Sequence, residues 1–283
     1  MDAARRKLKF LRKVPNKATK WKSIALRNNL SRGEEWLVLE MPDANSSNGV
    51  IIVDTGSESG VGLPPQKWLE WKAANTKQPI TFVASYMAEP GLIVREQSWA
   101  KELSLGPLEL TEVIVGETNP MTLKAVPADQ TVTLGMAALK RLNLIVDGKH
   151  GVAYVRAKQT PAPPRTPSDP DRRELIFVPR DKRSDDLVAH VLGGSSAFGA
   201  GIRNGDVLLK IDERDAAKWR TDPGDRWRIA PNRPFISAST NYPPGTKIEM
   251  IVKRGDQTLK TTVDLEKIAI FAPQTNWPAS LSK

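Results

Sequence analysis

Cysteine is absent from this 283-residue chain, and histidine is nearly so, with only His150 and His190 present. The first absence excludes disulfides, thiol catalysis and zinc sites built on cysteine. The second excludes a histidine-based metal cluster and a pair of histidine general bases on one chain. No apolar run approaches the ~18 residues that a membrane-crossing helix needs. The opening M-D-A-A-R-R-K-L-K-F-L has basic residues but no long apolar stretch behind them, so no intact signal peptide is expected. That leaves the compartment open.

Evenly spread charge is lacking too. The chain carries a net charge of +10, and Met1 to Arg32 holds eleven Lys or Arg against the single acid Asp2. The rest has 31 basic and 31 acidic residues, so the pI near 9.7 describes an arm and not the fold. An arm with Phe10 and Trp21 could touch an acidic surface or nucleic acid. It reads more simply as a solvated leader that becomes a strand from Trp21 to Arg27, and no nucleic-acid partner is expected.

What is present divides at a proline-rich stretch. Ala157 to Arg173 (A-K-Q-T-P-A-P-P-R-T-P-S-D-P-D-R-R) contains five prolines and few apolar residues, the composition of a semi-rigid linker. Ahead of it the sequence predicts strands over 36–41, 49–53, 80–85, 98–105 and 108–115. Helices are expected at Gln66 to Ala74, with proline at its start, and at Met136 to Leu142. Leu144 to Asp147 and Val152 to Val155 flank a hairpin turn, G-K-H-G.

The run V-I-I-V-D-T-G-S, Val50 to Ser57, sets an acid at the end of a β-branched strand. Burying a carboxylate is costly unless it is hydrogen-bonded or neutralised, so Asp54 either begins a turn or serves chemistry. About 80 residues later comes T-V-T-L-G-M-A-A-L-K-R-L, Thr131 to Leu142. The two motifs together resemble the retropepsin-like aspartic protease domain, over roughly Trp21 to Arg156.

That resemblance implies a mainly β fold: a single-lobe acid-protease β-barrel whose catalytic loop is Asp54-Thr55-Gly56. Ser57 would bond the outer carboxylate oxygen, and Leu134 and Gly135 would support the loop. Thr55 would lock two such loops together. Two carboxyl groups sharing one proton can activate water on a peptide carbonyl. The chain has one Asp-Thr-Gly, so the second Asp54 would come from a homodimer partner. The flap would lie at Tyr86 to Gly91, with Tyr86 and Gly91 as its candidate residues. No metal or cofactor is implied, and the resemblance tilts towards an exported protein.

Behind the linker, V-L-G-G-S-S-A-F-G-A-G-I-R-N-G-D-V-L-L-K-I, Val191 to Ile211, and P-G-T-K-I-E-M-I-V-K-R-G-D, Pro244 to Asp256, resemble a bacterial PDZ domain. Such folds add a peptide as a strand on a sheet edge. By resemblance the carboxylate loop is Glu174-Leu175-Ile176-Phe177-Val178, with Leu175 to Val178 as peptide-binding residues, and it lacks the usual glycine for capturing a C-terminal carboxylate. The insert Trp219 to Pro234 reads as a surface loop packed on its own tryptophans. Asp212 and Asp215 read as turn carboxylates.

The resulting organisation is a basic arm (1–20), a retropepsin-like domain (21–156), a linker (157–173), a PDZ domain (174–267) and a tail (268–283). The implied function is an aspartic endopeptidase whose PDZ domain presents peptide or protein substrate. The alternative is a scaffold in which both domains only recognise extended chains.

Overall fold

The computed structural model describes residues 11–27, 36–43, 46–57, 59–78, 80–86, 92–118, 131–158, 174–181, 184–218, 236–237 and 246–264. In chain order the strands are β1 (Lys22–Ala25), β2 (Leu37–Asp43), β3 (Ser46–Val53), β4 (Val61–Leu63), β5 (Thr81–Tyr86), β6 (Leu92–Leu105), β7 (Leu108–Glu117), β8 (Thr131–Leu134), β9 (Leu142–Asp147) and β10 (Val152–Ala157). They continue as β11 (Leu175–Pro179), β12 (Leu187–Val191), β13 (Val207–Ile211), β14 (Arg214–Asp215), β15 (Ile236–Ser237), β16 (Lys247–Arg254) and β17 (Gln257–Asp264). Three helices are α1 (Pro65–Ala74), α2 (Met136–Leu139) and α3 (Ser196–Gly199). Among the described residues no helix is long and apolar enough to cross a membrane.

The chain forms two compact units, Met1–Gln78 with Gln97–Pro164, and Pro79–Glu96 with Arg165–Lys283. The linker stretch beyond Lys158, the arm up to Phe10 and the tail lie outside the described residues, as does the Trp219–Pro234 insert.

In the first unit, the β-branched end of β3 explains the centre of the sheet. Val50, Ile51, Ile52 and Val53 are all buried, as a strand covered on both faces requires. β3 pairs antiparallel with β2 and parallel with β8, in the register Val53↔Leu134. β8 then pairs with β4, β4 runs parallel to β7, and β7 pairs with β6. Within this unit the order is β2-β3-β8-β4-β7-β6, and among the described residues no pairing closes it. The expected closed β-barrel is therefore corrected to an open, mixed sheet beside a second sheet of order β1-β10-β9.

α1 begins with Pro65 at its first turn, where a missing N–H costs nothing, and buries Trp68 stacked on Trp71. α2 stops at Leu139, short of the expected Leu142, because Leu142 and Leu144 are already buried as inward positions of β9.

The second unit is built on the order β15-β11-β12-β13-β16-β17, with β14 paired to β13. Leu175 and Phe177 of β11 enter a core with Leu187, Val191, Ile202 and Met250. Ile176 points to the opposite face and packs with Phe82, Val94 and Leu192. Both faces of β11 are covered, which is why the stretch reads as unbroken apolar sequence. Ser195 caps α3 by accepting from Phe198 N at 3.2 Å, and Gly201, at φ +96°, ends that turn.

Candidate functional site

Two places receive the residues that the sequence singles out, one in each unit.

In the first unit, β3 delivers Asp54 to the start of a tight turn. Asp54 N donates to Leu134 O at 2.9 Å, extending the parallel β3–β8 pairing by one bond. Asp54 Oδ1 accepts from Gly56 N at 3.0 Å and Ser57 N at 3.1 Å. This is an Asx turn, in which a short acid side chain satisfies amides that the bending backbone leaves without partners. Ser57 Oγ lies 2.7 Å from Ser59 Oγ, and Ser57 O accepts from Met136 N at 2.7 Å. Ser59 O and Gly60 O take Ala137 N and Gly135 N, so the loop is clipped to the start of α2. Gly135 is there because of space: a Cβ would press far inside contact distance of the Ser59 carbonyl. Thr55 and Gly56 are exposed, and Leu134 is buried beneath them. Tyr86 ends β5, while Gly91 lies outside the described residues.

In the second unit, β11 brings Leu175, Ile176, Phe177 and Val178 together. On one side it pairs with β12 over five residues, Leu175↔Val191 to Pro179↔Leu187. On the other side it pairs antiparallel with β15 over two, Ile176↔Ser237 and Phe177↔Ile236. Leu175, Val178 and Pro179 have no strand partner on that second side among the described residues. Just before the strand, Glu174 is buried and accepts a hydrogen bond from Ser196 Oγ. Its backbone O accepts from Leu192 N at 3.0 Å.

His190, opposite Ile176 in β12, meets Phe82 edge-on, and burial pulls its pKa below the ordinary value. Sequence reading placed Glu174 only as the first residue of the resemblance's carboxylate loop, and gave His190 and Phe82 no role. The signal available for Glu174 was the one used for Asp54, an acid abutting an apolar strand.

On the first unit's hairpin turn, His150 Nδ1 lies 2.7 Å from Asp147 Oδ2, and that bond holds the Asp147 pKa below its usual value. A His–Asp pair is two-thirds of a serine-protease triad. In the same unit the Ser57 hydroxyl is engaged with that of Ser59. Among the described residues no group of three or more His, Asp or Glu side chains is placed to hold a metal ion.

No family model matches the chain, and no curated protein matches it. Among solved structures it is similar to the HtrA-type protease AlgW with a decapeptide, at 12% identity and a TM-score of 0.24, over 86% of this chain and 79% of that one. It is also similar to the serine endoprotease from Yersinia pestis, at 11% identity and a TM-score of 0.21, over 87% of this chain and 85% of that one. Likeness at this level transfers no activity to this chain.

These findings correct the expectation of an aspartic endopeptidase working through paired Asp54 carboxylates. The retropepsin-like barrel is absent from an open sheet, and Asp54 Oδ1 has a local task in holding its own turn. The scaffold alternative built on a retropepsin-like domain is withdrawn with it.

Proposed function

We propose that the protein binds extended peptide segments, taking them as an added strand on the β15 side of β11. The observation that carries this reading is that, among the described residues, β11 pairs over five residues with β12 and over two with β15. A sheet edge presents backbone N–H and C=O groups that seek partners, and peptide-binding domains use such edges as templates. The sequence resemblance of the second unit to PDZ domains supports the same edge. Ile236–Ser237 then acts as a minimal internal stand-in for the peptide. Two residues of pairing contribute little, about 1 kcal/mol per net hydrogen bond, so a longer strand can displace them.

The test uses a fluorescein-labelled peptide with the sequence of residues 233–240, R-P-F-I-S-A-S-T, blocked at both ends. Fluorescence anisotropy would compare the full chain with its I236P/S237P variant, in which the internal strand cannot pair. The variant should bind at least about tenfold tighter, because the tethered competitor is gone. Absence of binding to either protein would overturn the reading.

A further inference from the structure

The acid at the entrance of β11 determines which kind of peptide end that edge accepts. We propose that Glu174 makes the β11 edge selective for internal chain segments and against free C-termini, an inference that rests on the peptide-binding reading above.

The direction of the added strand comes from β15. Ser237 stands opposite Ile176 and Ile236 opposite Phe177, so a strand in this register advances towards Glu174 as it runs to its C-terminal end. Continued by a peptide, the same register sets the next two residues against Leu175 and Glu174.

Capturing a terminal carboxylate at that place calls for uncommitted amide donors and no competing anion. Among the described residues, Glu174 instead puts a competing acceptor at that place. Its buried side chain is itself an acceptor, already served by Ser196 Oγ. Leu192 N is taken by Glu174 O, Phe198 N by Ser195 Oγ, and Gly199 N by Ser195 O. An arriving carboxylate meets a second carboxyl group there, a competing acceptor where a free C-terminus needs donors. An amide or a continuing chain makes no such demand. Selectivity of this kind comes from a repulsive element and not from an added contact.

The test uses the full chain in its I236P/S237P form and one labelled octapeptide, N-R-P-F-I-S-A-S, the sequence of residues 232–239, made with either a free or an amidated C-terminus. The amide should bind about tenfold tighter than the free acid. That ratio is read without altering Glu174. Adding Glu174→Gln, which keeps an acceptor for Ser196, should bring the ratio close to one by strengthening the free acid alone. Equal or tighter binding of the free acid before that change would overturn the inference and leave the binding reading intact. So would a ratio that Glu174→Gln does not move. Failure of both peptides to bind would overturn the binding reading and this inference together.

Discussion

The imidazole of His190 meets the Phe82 ring edge-on, with centroids 6.5 Å apart and planes inclined by 80°. Burial lowers the His190 pKa, so the folded protein holds this side chain neutral where the unfolded chain would protonate it. The unfolded state therefore binds more protons as pH falls through about 6.5 and towards the lower folded value, and stability is lost across that window. The melting temperature should fall by a few degrees between about pH 7.5 and about pH 5.5. In His190→Phe that slope should flatten, as read by thermal denaturation in matched buffers. An unchanged slope would show that other groups govern it.

Asp206 is almost fully buried and receives Arg254 in a fork, Nε on Oδ1 and Nη2 on Oδ2, both at 2.7 Å. Asp206 in turn favours the charged guanidinium and raises the Arg254 pKa. Arg203 N donates a further bond to Oδ2 at 2.8 Å. Asp206→Ala should cost roughly 2–3 kcal/mol in urea denaturation, the scale of losing charge-assisted bonds. Arg254→Lys should also destabilise, because an ammonium cannot form the fork.

Glu112 is not glycine, yet it sits at φ +51° in β7, and its Oε2 accepts the Trp99 indole N–H at 2.7 Å. The backbone accepts an unfavourable conformation while the side chain satisfies a mostly buried donor. Glu112→Ala and Glu112→Gly both lose that bond, but only alanine keeps the strain. The glycine variant should be more stable than the alanine variant by about 1 kcal/mol. The reverse order would mean that the positive φ is not costly here.

Gly135→Ala tests the clip between the Asp54 loop and α2. Its new methyl would collide with the backbone carbonyl of Ser59, which holds Ala137 N. A loss of roughly 1–3 kcal/mol is expected from forced backbone movement. Gly148→Ala, with nothing within 4 Å of the added methyl, serves as the neutral control.

The parts of this fold that sequence made legible are those set by local pattern. Val50 to Val53 had to be a covered strand, whereas Leu175 to Val178, expected by resemblance as a loop, is the buried strand β11. Sheet closure was not legible, because it depends on whether strands distant in sequence pair, and no local signal encodes that. α2 was read too long because Leu142 suits a helix face as well as an inward strand position, and packing decided for the strand. At Asp54 the local turn amides provide the explanation that the motif suggested in chemical terms. Ile176 meeting Phe82 could not be foreseen either, since that contact joins segments far apart in the chain.

Backbone amide exchange at residues 175–178 tests the central claim most directly. It would be measured on the I236P/S237P chain with and without the amidated octapeptide. Strand addition predicts that these amides become more protected as the peptide saturates. If the peptide binds while exchange in β11 stays unchanged, the peptide sits elsewhere and the edge is not the binding site.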